Sequence, residues 1–205
     1  MRGLAKAGIG LLIFLIAAIV GVGLFVQHGF SARDEPTAVE AFVARTLRRL
    51  SVPSSQRDAK NPVPLTSEVL AQGLAHFADH CAGCHGNDGR GKTTIGQNLY
   101  PKSPDMWARQ TQSLSDGELF YIIKNGVRLT GMAAWGEDSA EDDLESWHLV
   151  HFIRHLPKIT TEELAEMREL NPKTRAEWQQ EKEERDFLEG KNGGPAAREG
   201  MSHGH

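Results

Sequence analysis

Cys81-Ala82-Gly83-Cys84-His85 holds the only two cysteines of this 205-residue chain. Cys-x-x-Cys-His is the attachment motif of c-type haem: each thiol adds across a porphyrin vinyl group, and the adjacent His ligates iron. Two intervening residues let both sulfurs reach neighbouring vinyls from a single turn of helix. Cys-x-x-Cys alone is shared with thioredoxin-like thiols and with half of a zinc site. With no further cysteine to complete a zinc site, and with His85 directly following, the haem reading outweighs both.

Around the motif the chain reads Ala78-Asp79-His80-Cys81-Ala82-Gly83-Cys84-His85-Gly86, then Asn125-Gly126-Val127-Arg128-Leu129-Thr130-Gly131-Met132, then Trp135-Gly136. On these words the stretch from about Pro64 to Pro157 resembles the class I c-type cytochromes, in particular their membrane-anchored, single-haem members. The resemblance implies an all-α, class I cytochrome c fold around one covalent haem c attached at Cys81 and Cys84. It also implies His85 and Met132 as the two axial ligands of the iron. Met132 follows a capped helix by one short, Gly-punctuated loop, where the family places its ligand; Met106 is left to haem-edge packing. Similar family members often carry Gly-Met-Pro here, whereas Gly131-Met132 is followed by Ala133-Ala134. The loop therefore loses a fixed φ but keeps its thioether. Trp135 packs beside this loop or the macrocycle, or is an ordinary core aromatic. Tyr100, Trp107 and Arg128 are candidate hydrogen-bond partners for haem propionates.

Residues 7–26 carry no charge and are rich in Leu, Ile, Val, Ala and Gly. As a helix they would run about 30 Å, the thickness of a hydrocarbon core. Arg2 and Lys6 precede the run, so the positive-inside tendency places the N-terminus in the cytoplasm and the rest of the chain outside. A cleaved secretory signal is the competing reading, but the run is longer than a signal core and Phe30 spoils a cut after Ala32. An uncleaved signal-anchor over residues 1–30 is expected. Both readings export the cysteine motif, which suits a bacterial periplasm. The net charge of −4, with Lys and Arg scattered, excludes a nucleic-acid surface.

Residues 31–63 read as an amphipathic helix from Pro36 to Leu50, packed on the domain or serving as an arm for a partner, followed by a Pro-rich linker or strap. In the haem domain, residues 64–158, a stripe of Leu70, Leu74, Phe77 and Cys81 predicts the helix that delivers the haem turn. Gly73 within it costs helix propensity, and the resemblance implies its compensation, the close crossing of the first and last helices. Ser115 with Glu118 and Ser139 with Asp142 are capping boxes that open two more helices. The second of these carries Leu149, Phe152, Ile153 and Leu156 as partners for the first stripe. Residues 160–190 hold ten acids and five bases and predict a solvated, charged helical extension over 159–190, capped by Thr160 with Glu163 and broken at Asn171-Pro172. Residues 191–205, with Met201, His203 and His205, read as a disordered tail. His76 with His80, and His148, His151 and His155, share helix faces. No carboxylate or Cys set completes either group, so packing or solvated roles are expected.

A His/Met pair fills both axial positions in either oxidation state, and the thioether raises the potential relative to two histidines. The expected function is electron transfer between redox partners at the bacterial inner membrane by a single-pass, periplasm-facing carrier, not an enzyme. The alternatives are a haem subunit of a larger dehydrogenase or oxidase complex, and a haem-based sensor or peroxidase with an open sixth position. No second haem motif is present, so a multi-haem relay is excluded. A Cys-x-x-Cys thiol oxidoreductase would need a thioredoxin-like alternation of strands and helices, which the pattern lacks.

Overall fold

The computed structural model describes residues 2–29, 31–137 and 139–190, and every regular element among them is helical. The expected tail, with Met201, His203 and His205, lies outside the described residues. The chain divides after Leu170 into two compact units.

In the first unit, α1 (Arg2–His28) contains an apolar stretch, Lys6–Gln27, long and apolar enough to cross a membrane. At 1.5 Å per residue its 22 residues extend about 33 Å. α2 (Ala38–Ser51) opens at Thr37, whose side chain and Glu40 form a reciprocal capping box. That box went unread in the sequence, where Pro36 had drawn attention to the helix start. After α2 the chain behaves as a strap. α3 (Ser54–Arg57) crosses the start of α8 (Asp116–Asn125), and Gly117 donates to Ala59 O at 3.1 Å. Further on, Asn61 donates to Trp147 O (2.9 Å), and His151 Nε2 sits 2.8 Å from Val63 O.

The core forms where α4 (Ser67–His76) crosses α9 (Ala140–His155), the most extensive helix contact of the unit. Leu74 and Phe77 from the first stripe meet Leu149, Phe152, Ile153 and Leu156 from the second, and all six are buried. The Phe77 and Phe152 ring centroids lie 5.2 Å apart. A Cβ on Gly73 would stand 2.5 Å from His148 O and 3.1 Å from Phe152 Cβ, so the crossing admits only glycine. The close approach expected at Gly73 is what the structure contains. On the other side of α9, Trp147 stacks on Phe120 of α8 with centroids 4.2 Å apart. Three short helices lie in the connecting segments: α5 (Ala82–His85), α6 (Thr94–Gln97) and α7 (Arg109–Gln112). Ser139 caps α9 by accepting from Asp142 N–H. Asp142 returns its carboxylate to Glu137 N–H instead of Ser139, so the second capping box is only half formed.

The expected solvated extension from residue 159 is corrected by α10 (Thr161–Leu170), which belongs to the first unit and packs on α4. Met167 is fully buried in the same core as Phe77 and Phe152. Leu164, Met167 and Leu170 are the large apolar residues of this acidic helix and only Met167 is buried, too little for a periodic signal. Thr160 and Glu163 cap α10 reciprocally, at 2.8 Å and 3.2 Å, and Glu163 also meets His155 at 2.9 Å.

In the second unit, α11 (Arg175–Leu188) is capped by Thr174 and Glu177, and none of its residues is buried. Lys173 pairs with Glu181 and lies over the Trp178 ring.

Two outcomes follow from this packing. Gly73→Ala gains about 1 kcal/mol of helix propensity but forces a methyl group into backbone, at a cost of about 2–3 kcal/mol. Its thermal midpoint should fall by about 5–10 °C, followed by circular dichroism; an unchanged or higher midpoint would show that α4 and α9 part freely. Burial raises the Glu163 carboxyl, yet the hydrogen bond from Thr160 N–H and then His155 outweigh it, so the group lies below the ordinary carboxylate range. Its stabilisation is therefore present above the unfolded carboxylate pKa and disappears as pH falls through the lower folded value. Glu163→Gln should flatten the acid limb of the urea-midpoint profile, and a limb as steep as that of the parent chain would contradict the linkage.

Candidate haem site

Thr66 caps α4 by accepting Val69 N–H at 3.2 Å, and the helix runs on past His76 without a break. Over Phe77–Cys81 it widens into a single π turn, with Ala82 N–H reaching back to Phe77 O. Such turns are rare and gather at functional sites. An α-helical stripe would have carried Cys81 round with Leu74 and Phe77; the wider turn rotates the motif relative to that stripe. α5 then carries Cys84 and His85 and stops at Gly86, whose φ of 76° suits glycine.

The next loop folds back and fixes the motif through its carbonyls. Gly91 donates to His85 O at 2.6 Å, and Thr93 Oγ1 donates to Cys84 O at 3.0 Å. A Cβ on Gly96 would lie 2.2 Å from Cys84 O, so α6 seats against the motif only through glycine. The motif is therefore held by backbone contacts, which leaves its thiols and imidazole available for chemistry.

The His85 ring is 8% exposed and sits with its centroid 6.5 Å from that of Phe77. Its Nδ1 is buried without a hydrogen-bond partner. Burial pushes the His85 pKa down to about 4, so at neutral pH the imidazole presents a lone pair and no charge. An unsatisfied buried ring nitrogen costs about 1–3 kcal/mol, and a neutral imidazole is the form that ligates a metal. Burial, with Cys84 second, pushes the Cys81 thiol up to about 12. Redox-active Cys-x-x-Cys pairs depend on a depressed pKa, so Cys81 has the wrong electrostatics for thiol exchange.

Met132 lies in a loop that doubles back on the end of α8. Gly126 turns the chain with φ 64°, and a Cβ there would lie 2.6 Å from Ala133 C and Ala134 N. Val127 N–H donates to Met132 O (3.0 Å), Met132 N–H to Thr130 Oγ1 (3.1 Å), and Thr130 Oγ1 to Val127 O (2.7 Å). Trp135 N–H closes the loop on Ile123 O at 3.1 Å. These bonds hold the Met132 backbone although Ala133, and not proline, follows it.

Trp135 meets the ring of His80 edge-on, centroids 5.4 Å apart. His80 belongs to the π turn that precedes Cys81, so the segments bearing His85 and Met132 are neighbours. Both segments show apolar surface: Ile95 of α6, Trp135, and above all Leu129, 92% exposed at φ 61°. A non-glycine residue in that region of backbone is uncommon. A neutral imidazole, a thioether and exposed apolar side chains around paired cysteines fit the edge and iron of a haem.

The other candidates are distributed differently. Trp107 spends its indole N–H on Asp88 O at 2.6 Å beneath Arg90, and the Tyr100 hydroxyl is hydrogen-bonded to Glu40. Neither is a ready propionate donor; Arg128 is exposed. Met106 is buried in the core. The histidines that share helix faces have local partners: His76 lies by Glu145, His151 by Val63 O and His155 by Glu163.

Residues 68–153 match the family model described as cytochrome c oxidase, cbb3-type, subunit III. A comparison with the curated proteins found no match. Among solved structures, the chain is similar to one in a Kuenenia stuttgartiensis reducing HAO-like protein complex, at 21% identity and a TM-score of 0.41. That match covers 48% of this chain and 49% of the other, so the chain spans about half the length of the protein it resembles. The cysteine motif, its clamping loop and the Met132 loop all lie within the segment that matches this c-type cytochrome family model, and the N-terminal helix fits membrane anchoring.

Proposed function

We propose that this chain is a membrane-anchored electron carrier with one haem c on Cys81 and Cys84, its iron held by His85 and Met132. One observation carries the reading: a buried, neutral His85 directly after the paired cysteines, beside a loop that holds Met132 by its backbone. The haem supplies a one-electron couple when bound. The chain's own residues position it, exclude water from its proximal side through Phe77 and the α4–α9 core, and close both axial positions. With those positions filled, oxygen or peroxide chemistry has no entry, so the chain is read as a carrier and not as an enzyme, peroxidase or gas sensor. Arg2 and Lys6 ahead of the apolar helix favour a cytoplasmic N-terminus, with the domain in the periplasm at the bacterial inner membrane.

A second reading has its own support. The family model that residues 68–153 match describes an oxidase subunit, and α2 presents an exposed apolar face. On that reading the chain passes electrons within a larger membrane complex.

Met132→Ala should retain covalent haem while losing the sulfur-to-iron charge-transfer band and lowering the reduction potential, and should bind carbon monoxide when ferrous. His85→Ala should fail to accumulate as haem-loaded protein. An unchanged spectrum and potential for Met132→Ala would remove it from the iron. Isolation of the native chain from membranes, with haem staining and identification of co-purifying proteins, separates the two readings. A stoichiometric catalytic subunit supports the complex; a chain recovered alone supports the free carrier.

A further inference from the structure

α2 is seated the wrong way round for a helix of a water-soluble domain. At 100° per residue, Val39, Phe42, Val43, Leu47 and Leu50 fall within one arc of about 140°. All five are exposed, from 46% for Val43 to 72% for Val39 and Leu50. The helix meets the domain with its opposite side. Ala41 and Arg48 are half-buried there, Arg48 acts electrostatically on Glu118, and Glu40 takes the Tyr100 hydroxyl. Arg57 ties the far end by donating to Arg49 O and Val52 O at 2.7 Å and 3.0 Å. Polar contacts and a small residue thus fix the helix. Val39, Val43 and Leu47 lie clear of the domain, while Phe42 and Leu50, though exposed, edge a groove shared with Gln110, Leu114, Glu118 and Ile122.

We propose that this arc lies on the membrane itself, in the headgroup region of an anionic lipid surface, with Arg45 and Arg49 pairing with lipid phosphates. The proposal rests on the reading of α1 as the membrane anchor. Only nine residues, 29–37, separate α1 from α2, a reach of at most about 30 Å. The helix therefore stays within range of the bilayer surface. Arg45 and Arg49 border the apolar arc on the Phe42 side, at the groove that α2 forms with Gln110, Leu114 and Glu118; both are exposed, and their long stems let the cations extend to phosphate while the arc is buried. Each such cation adds about 1 kcal/mol near an anionic leaflet.

Area argues for lipid over protein as the cover. Fourteen residues of helix are about 21 Å long and offer an apolar strip of roughly 200 Å². A stable protein partner needs about 800 Å² on each side, whereas an interfacial helix needs only its own strip.

The test uses the full-length, haem-loaded chain in vesicles of phosphatidylcholine with phosphatidylglycerol. A spin label is placed at Leu47→Cys within the arc or at Ala44→Cys outside it, since haem occupies Cys81 and Cys84. Label 47 should be several-fold more accessible to oxygen than to a water-soluble nickel chelate, and label 44 the reverse. The contrast should shrink in pure phosphatidylcholine and in Arg45→Gln/Arg49→Gln. Equal nickel access at both positions overturns the proposal. So does a label 47 shielded from both reagents with spin–spin broadening that grows with protein density, because a second copy would then be the cover. A contrast indifferent to phosphatidylglycerol overturns the arginine–phosphate pairing. Flotation of the same samples keeps the two readings apart. A chain that fails to float has lost its anchor, and this proposal falls with it; a chain that floats while nickel reaches label 47 has lost the lipid contact alone.

Discussion

The approach of α4 to α9 at Gly73 is the constraint on which the rest of the domain depends. With no side chain between the backbones, Phe77 and Phe152 come into ring contact and the two apolar stripes close. The consequences travel in both directions. Along α4 the chain passes through the π turn and delivers His85. Across α9, Trp147 stacks on Phe120 and positions α8, whose C-terminal end carries the Met132 loop. Arg154 completes the arrangement by binding Asp116 and the carbonyls of Gln112 and Leu114 at the opposite end of α8. Both proposed iron ligands are thus located by one helix pair, although they lie far apart in the sequence.

Most of that frame was legible because it follows from spacing. The stripes of α4 and α9, the Ser115 box and the glycine at the crossing are periodic or positional signals, and each has its counterpart in the packing. What escaped was of a different kind. The π turn at Phe77–Cys81 changes the residue count of one turn without any residue that announces it. Met167 is one buried side chain in an acidic helix, invisible to a moment but decisive in three dimensions. The direction in which α2 faces depends on Glu40, Arg48 and Arg57 finding partners across the chain, and amphipathicity alone leaves both seatings open. For the proposed site, the sequence offers candidate residues but not their electrostatics: the neutral state of His85 and the suppressed thiolate of Cys81 are products of burial.

Those two shifts have one origin and opposite chemical meanings. Burial disfavours whichever form is charged, so it keeps the imidazole unprotonated and the thiol protonated. The first favours metal ligation and the second disfavours thiol exchange. One low-dielectric pocket thereby selects between the two chemistries that a Cys-x-x-Cys-His string could support. The same apolar character appears outside it, in the exposed Ile95, Leu129 and Trp135. A domain of this size buries only a modest core by itself, so a large flat apolar group held against these side chains would add substantially to its stability.

A tether alone controls distance but not direction. Nine residues after α1 would let the domain turn freely over the bilayer, and an electron carrier that docks through one edge would spend much of its time misaligned. A helix that lies in the headgroup region and is also bound to the domain through Glu40, Arg48 and Arg57 removes that freedom, because the domain can rotate only if the apolar arc leaves the lipid. At about 25 cal/mol per Å², a strip of roughly 200 Å² contributes about 5 kcal/mol before ordering costs. That is enough to hold one orientation dominant and small enough to be released by thermal motion. The polar seating of α2 then has a physical rationale: its polar groups serve the domain and its apolar groups serve the membrane, so one short helix sets which face of the haem domain points along the bilayer.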